Sequence, residues 1–368
     1  MQKLPESTKA IVVQKSTAPK GQQVYHGAVL ETRPVPALKP GEVLVKMGAV
    51  AFNHRDVWIR KGLYPNIGFG CVFGADGAGT VIAASDPKDP LLNKRVFLSP
   101  QQGWYKHPDA PESSSFGVIG GVKFPAIGTF AEYVTVQRDQ VIPSPTHLDD
   151  VNTAAWPLAG VTAWRATMIN ANVQAGHNVL ITGIGGGVAL VALQLCVAKG
   201  ANVYVTSGNQ EKIDKAKKLG AKGGANYKDK NWGKTIQALL NIHSPSNPQL
   251  DSVIDSGGGD IMNSIGSVLK QGGRVSCYGM HANPFIPFTM RQVMRNQKLL
   301  GSTMGSIQDL RDATDFISKH RIVPVVSHVI EGLESAEQGF ELLNKGDQFG
   351  KVVIRVDKDV RNRAQAKL

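Results

Sequence analysis

Cysteine is scarce in this chain. Its 368 residues include three, Cys71, Cys196 and Cys277. They are far apart, odd in number and form no C-x-x-C pair, which excludes a disulfide framework and makes the chain read as intracellular. Long apolar runs are also lacking. The longest, 188–198, is broken only by Gln194 and closed by Lys199, well short of the ~20 residues needed to cross a membrane. The start resembles neither a secretory signal nor an Arg-rich transit peptide. No internal repeat, low-complexity tract or run of like charges stands out. Acidic residues are few: Asp+Glu number 29 against 41 Lys+Arg, for a net charge of +12. Such a surface either favours anionic partners (a phosphorylated cofactor, a coenzyme A thioester, nucleic acid) or is simply solvated.

What the chain does have is apolar mass and glycine. Hydrophobic residues are 42% and charged residues 19%, a balance that excludes disorder. The length suits about two domains. The 40 glycines cluster, which points to tight turns and close backbone approaches.

Up to about residue 150 the chain reads as short strands and turns: Glu42-Val43-Leu44-Val45-Lys46 after the turn Lys39-Pro40-Gly41, then Thr80-Val81-Ile82 and Arg95-Val96-Phe97-Leu98. A Pro/Gly/Ser-rich stretch over 99–128, with Trp104, Tyr105 and His107, reads as a long loop. From 151 the pattern changes. Strands at 179–182, 202–206, 253–255 and 274–278 alternate with helical segments, which means βαβ units and a parallel sheet. After about 306 come helices near 308–319 and 335–345 and a last strand, Lys351-Val352-Val353-Ile354.

Gly183-Ile184-Gly185-Gly186-Gly187-Val188 follows a strand and opens a helix. Glycines there let backbone N–H groups approach a pyrophosphate, and the helix N-terminus adds positive dipole. NAD-binding versions end the next strand in Asp or Glu, which binds the ribose 2′-hydroxyl. Here it runs into Thr206-Ser207-Gly208-Asn209-Gln210, with no carboxylate before Glu211 and then Lys212. Ser207 and Lys212 would hold a 2′-phosphate, so NADPH is the expected cofactor. The alternative for Lys212 is a surface helix lysine.

These residues resemble the medium-chain dehydrogenase/reductase superfamily over nearly the whole chain, above all its zinc-free quinone-oxidoreductase-like and enoyl-reductase-like members. The resemblance rests on Lys39-Pro40-Gly41-Glu42-Val43-Leu44-Val45, Phe73-Gly74-Ala75-Asp76-Gly77-Ala78-Gly79-Thr80-Val81, Gly128-Thr129-Phe130-Ala131-Glu132-Tyr133-Val134 and Gly350-Lys351-Val352-Val353. It implies an α/β chain: a GroES-like β-rich catalytic domain plus a Rossmann doubly wound parallel sheet, with the active site in the cleft between them. The expected divisions are 1–150 (catalytic), 151–305 (NADPH-binding) and 306–368 (return to the catalytic domain). Homodimers are common among relatives.

Zinc members of the superfamily use Cys and His ligands at positions that fall on Asn53 and Ala75 here. Nor does 99–127 contain the four cysteines of their structural zinc lobe. His26, His54 and His107 are isolated, so no metal is expected. Without a Lewis acid the easier task is hydride delivery to an acceptor that is already polarised.

Tyr64, in Gly62-Leu63-Tyr64-Pro65, resembles the proton-donating tyrosine of enoyl thioester reductases; its alternative is packing beside a turn proline. Asn53 is either a hydrogen-bond partner for substrate or nicotinamide, or a turn former. The resemblance places Thr162 at the nicotinamide ribose, Met304-Gly305 beside the nicotinamide ring, and Tyr227 near the adenosine 2′-phosphate. Trp104 and Tyr105 either line the substrate pocket or pack in the loop.

The leading expectation is an NADPH-dependent reductase of quinones or α,β-unsaturated carbonyls. A second is a peroxisomal trans-2-enoyl-CoA reductase, favoured by the charge and by Ala366-Lys367-Leu368, which resembles the Ser-Lys-Leu peroxisomal address, with Arg361 and Arg363 upstream. If that tail is incidental, the expected location is the cytoplasm. A third, RNA binding, has only charge behind it and no aromatic-basic platform, so nucleic acid is not an expected partner.

Overall fold

The computed structural model describes residues 4–19 and 22–357. Arg361, Arg363 and the tripeptide Ala366-Lys367-Leu368 lie outside the described residues. The chain divides into two compact units. The first runs to Leu158, resumes over Ser306–Thr314 and takes in the described chain from Val323; the second comprises Ala159–Gly305 and Asp315–Ile322.

The first unit is built on the strand Glu42–Ala51. One edge pairs antiparallel with Asp76–Ala84. The other pairs with Tyr133–Gln137 along its first half and with Lys351–Arg355 along its last residues. Val326–Glu331 lies beyond Lys351–Arg355, and Arg95–Leu98 and Val141–Pro143 extend the far side. A hairpin pairs Ser7–Gln14 with Gly27–Pro34. The alternation expected at 42–46 gives way to near-continuous burial along Glu42–Ala51, as a strand covered on both faces requires. The 99–128 stretch carries two short strands, Gln101–Gln102 and Gly117–Val118.

The C-terminal return completes this core. Phe340, on the helix Ala336–Lys345, meets Phe52 edge-on at 5.0 Å and Phe73 at 5.2 Å, while Phe52 meets Phe130 at 4.7 Å. These are favourable edge-to-face geometries. The helix seats so closely that a Cβ at Gly339 would fall 2.1 Å from the Phe52 ring.

The second unit is a six-stranded parallel sheet. Its spatial order is Gly223–Asn226, Asn202–Ser207, Asn178–Ile181, Leu250–Asp255, Leu269–Cys277 and Lys298–Gly301. Taken in chain order that is third, second, first, fourth, fifth, sixth: the doubly wound arrangement, with its switch point between Asn178–Ile181 and Leu250–Asp255. Both central strands are buried at every position, which explains their unbroken apolar character. The longest apolar run becomes the helix Gly187–Ala198, buried at most of its positions. The strand Gly223–Asn226 and the helix Trp232–His243 were not evident in the sequence, because Gly-Gly-Ala-Asn lacks the β-branched residues that mark a strand.

Candidate active site

In the first unit Asn53 and Ala75, at the positions where the resemblance places zinc ligands in zinc-binding members, lie beside a buried ion pair. Asn53 caps the start of the helix His54–Arg60 in extended conformation. Its carboxamide Nδ2 donates to Asp76 Oδ2 at 2.9 Å, and its Oδ1 accepts from Lys351 Nζ at 2.7 Å. Lys351 Nζ also donates to Asp76 Oδ2 at 2.8 Å. Asp76 is fully buried, Lys351 is 5% exposed and Asn53 9%. The other Asp76 oxygen accepts the Leu158 N–H at 2.8 Å, and Thr129 Oγ1 donates to its backbone carbonyl. A buried charge survives only when paired and hydrogen-bonded, and each charge here is.

A second buried carboxylate lies beneath Asn53. Asp56 Oδ2 accepts the Asn53 backbone N–H at 2.8 Å. Its Oδ1 has no hydrogen-bond partner, and Arg55 Nη1 is 3.9 Å away. Burial pushes this carboxyl from its ordinary 3.8 up to about 6, against the pull of Arg55, the Asn53 N–H and Lys351. Arg55 itself is fixed by the carbonyls of Ile119 at 2.6 Å and Gly120 at 2.9 Å. The half-buried Tyr64 ring stacks on its guanidinium at 4.6 Å.

Trp104 does not line a pocket. It is 1% exposed, donates Nε1–H to the His107 carbonyl and packs on Phe116, so its indole offers no face to a ligand. Tyr105 keeps an exposed ring, and its backbone N–H is held by Glu112 Oε2 at 2.7 Å.

The second unit gathers the residues expected to hold a dinucleotide. Gly185 has φ +132, and a Cβ there would fall 2.9 Å from Lys212 Cδ and 3.4 Å from its Nζ. A bare glycine is what lets Lys212 cross this loop. Gly186 is the N-cap of the helix Gly187–Ala198, so no side chain caps the first N–H groups, leaving an anion-binding helix end. Ser207 Oγ accepts the Asn209 N–H. A Cβ at Gly208 would meet Tyr227 Oη at 2.7 Å and Lys228 Cε at 3.0 Å. Lys228 escaped the sequence reading, though its position beside Tyr227 was a usable signal. Glu211 is paired with Lys215 at 2.6 Å. Thr162 Oγ1 donates to Met304 Sδ at 3.8 Å, and Met304 is buried at φ +47, an uncommon conformation for a side chain of this type. Gly305 follows it. Cradle and donor set fit a nicotinamide dinucleotide.

Two family models match this chain. The alcohol dehydrogenase GroES-like domain covers residues 39–146 and the zinc-binding dehydrogenase domain covers 187–319. The zinc-type alcohol dehydrogenase-like protein YogA of Leptosphaeria maculans is 41% identical over 349 residues, which is 92% of this chain and 97% of the relative. A crystal structure of an NAD-dependent alcohol dehydrogenase superposes with TM-score 0.79 at 30% identity, over 95% of this chain and 100% of that one. The 2-octenoyl-CoA carboxylase reductase CinF, solved with NADP and 2-octenoyl-CoA, shares the fold, with TM-score 0.80 at 22% identity over 98% and 92% of the two chains. The chain therefore belongs to the medium-chain dehydrogenase/reductase superfamily, and it is an oxidoreductase of that type. Among the described residues, no group of three or more His, Cys, Asp and Glu could hold a metal ion.

The raised Asp56 carboxyl has a measurable consequence. A folded-state value near 6 lies above the ordinary 3.8, so the fold favours the protonated form. That contribution is complete below the lower value and is lost as pH rises through the upper one. The melting temperature of wild type minus that of Asp56→Asn should therefore fall from about pH 4 to about pH 7. A gap independent of pH would mean that Asp56 is ionised throughout.

Proposed function

We propose that this chain is a zinc-independent, NADPH-dependent reductase that delivers hydride to a quinone or an α,β-unsaturated carbonyl. The observation that carries this reading is the Asn53–Asp76–Lys351 network. Asn53 stands at one vacated ligand position, Ala75 at the other, and the cation buried beside them is the ammonium of Lys351. When bound, NADPH supplies the hydride. The backbone N–H groups of Gly185, Gly186, Gly187 and Val188 hold its pyrophosphate, with Gly183 making the turn. Ser207, Lys212, Tyr227 and Lys228 hold the 2′-phosphate, and Thr162, Met304 and Gly305 hold the nicotinamide end. An acceptor oxygen gains negative charge as hydride adds to carbon. Asn53 stabilises that charge by donating a hydrogen bond, and Tyr64 donates the proton that completes reduction.

The enoyl-CoA variant of this reading is favoured by Tyr64 and by the net charge of +12, which suits an anionic thioester. The strand Lys298–Gly301 ends the sheet, and the segment leading to it exposes Phe285, Met290, Val293 and Met294. An open edge beside apolar side chains suits pairing with a second copy.

The deciding experiment is NADPH consumption by metal-stripped protein with an ortho-naphthoquinone and a trans-2-enoyl-CoA side by side. Turnover of either supports the reductase reading and names the substrate class; turnover of neither overturns it. In the same assay Tyr64→Phe should lose turnover and keep NADPH affinity, and unchanged turnover would return Tyr64 to packing. Lys212→Glu and Lys228→Glu should each weaken NADPH at least ~10-fold more than NADH, the scale of one charge-assisted hydrogen bond; equal losses would remove the 2′-phosphate role. Sedimentation should give twice the 39.4 kDa chain mass, falling to the single mass in Met294→Glu.

A further inference from the structure

Asn53 is held by one partner of each hydrogen-bonding kind. An ammonium only donates and a carboxylate only accepts. With Lys351 Nζ on Oδ1 and Asp76 Oδ2 on Nδ2, the carboxamide has a single allowed orientation. A flipped amide would set N–H against N–H and oxygen against oxygen. The side chain is thus committed on its oxygen and on one of its two N–H groups. The second N–H has no partner among the described residues, and Asn53 retains 9% exposure.

We propose that Lys351 is a positioning residue, which with Asp76 fixes the polarity of Asn53 so that the group left for substrate is a donor and never an acceptor. This rests on the reductase reading above and deepens it. Charge on the acceptor oxygen grows as hydride arrives, so a donor aimed at it acts most strongly in the transition state. A freely flipping amide would present its carbonyl oxygen part of the time and repel that charge. Lys351 and Asn53 lie 298 positions apart in sequence, and Lys351 acts on the reaction only through Asn53.

The test is a set of variants assayed with whichever of the two substrates wild type turns over. Lys351→Met should lower kcat about 100-fold, the scale of one lost oxyanion donor, with KM and NADPH affinity nearly unchanged. In an Asn53→Ala background the same change should have no further effect on kcat, because Lys351 has nothing left to orient. Lys351→Met leaves Asp76 as a buried unpaired charge and lowers the melting temperature. The double variant Lys351→Met with Asp76→Asn removes both charges. It should recover the melting temperature while kcat stays low, since an amide at position 76 accepts either orientation of Asn53. Recovery of kcat together with stability, or additive losses in the Asn53→Ala background, would overturn the proposal.

Binding of para-nitrophenolate, an oxyanion that needs no turnover, separates this inference from the reductase reading. It should bind wild type more tightly than Lys351→Met and show the same non-additivity with Asn53→Ala. If wild type reduces neither substrate class, the reductase reading fails and nitrophenolate binding decides the positioning role. If turnover is present but the losses are additive, the positioning role alone fails.

Discussion

One buried ammonium draws together distant parts of the first unit. Lys351 sits in the last strand, Asn53 at the end of the central strand's continuation, and Asp76 at the start of the neighbouring strand. Two charges out of water are tolerable in this geometry because the ammonium meets both a carboxylate and a carboxamide oxygen, and the carboxylate is hydrogen-bonded at each of its oxygens. Asp76 is used at both carboxylate oxygens and at its carbonyl. The fully buried Asp56 one turn along the helix lacks a partner on one oxygen, and its carboxyl is pushed up accordingly. Two carboxylates in one small volume thus differ in environment: one has an ammonium as direct partner, the other is drawn toward neutrality by burial.

Backbone provides much of the chemistry in the second unit. Its glycine-rich turn opens a twelve-residue helix without a capping side chain, and the segments that follow the second and third strands carry hydroxyl, amide and ammonium groups where a carboxylate would repel an anion. The acid nearest in sequence, Glu211, is turned to Lys215. The local field therefore favours an anion both at the glycine-rich turn and beside Lys212 and Lys228.

What could be read from the sequence was what is local. The loop from Gly183 to Gly187 lies between its strand and helix within a few residues, so its context was visible. Asn53 and Ala75 drew attention only through the superfamily resemblance, which places zinc ligands at those positions in its zinc-binding members. Lys351 was visible only as part of a Gly-Lys-Val-Val strand; nothing in one dimension says that its ammonium ends between Asn53 and Asp76. For Trp104 the sequence left pocket lining and loop packing open, and its burial against Phe116 is the packing alternative. The first unit's leading segment runs to Leu158, later than the change of pattern near 151. The backbone N–H of Leu158 is tied to Asp76, a contact that composition does not record.

The placement of Phe340 has a consequence for how the chain is made. The aromatic cluster of Phe52, Phe73 and Phe130 closes only when the helix Ala336–Lys345 arrives, and the strand Lys351–Arg355 is the last to pair with Glu42–Ala51. A ribosome emits chain from the N-terminus at ~5–20 residues per second. The first unit must therefore wait, with its aromatic side chains uncovered, while the nearly contiguous second unit is synthesised and folds. During that interval the nascent chain carries open strand edges and unburied phenyl rings, the surfaces on which aggregation starts and chaperones act. A premature stop before Phe340 removes the lid of a core laid down from Phe52 onward, far earlier in the chain, so its toll falls on the beginning of the protein.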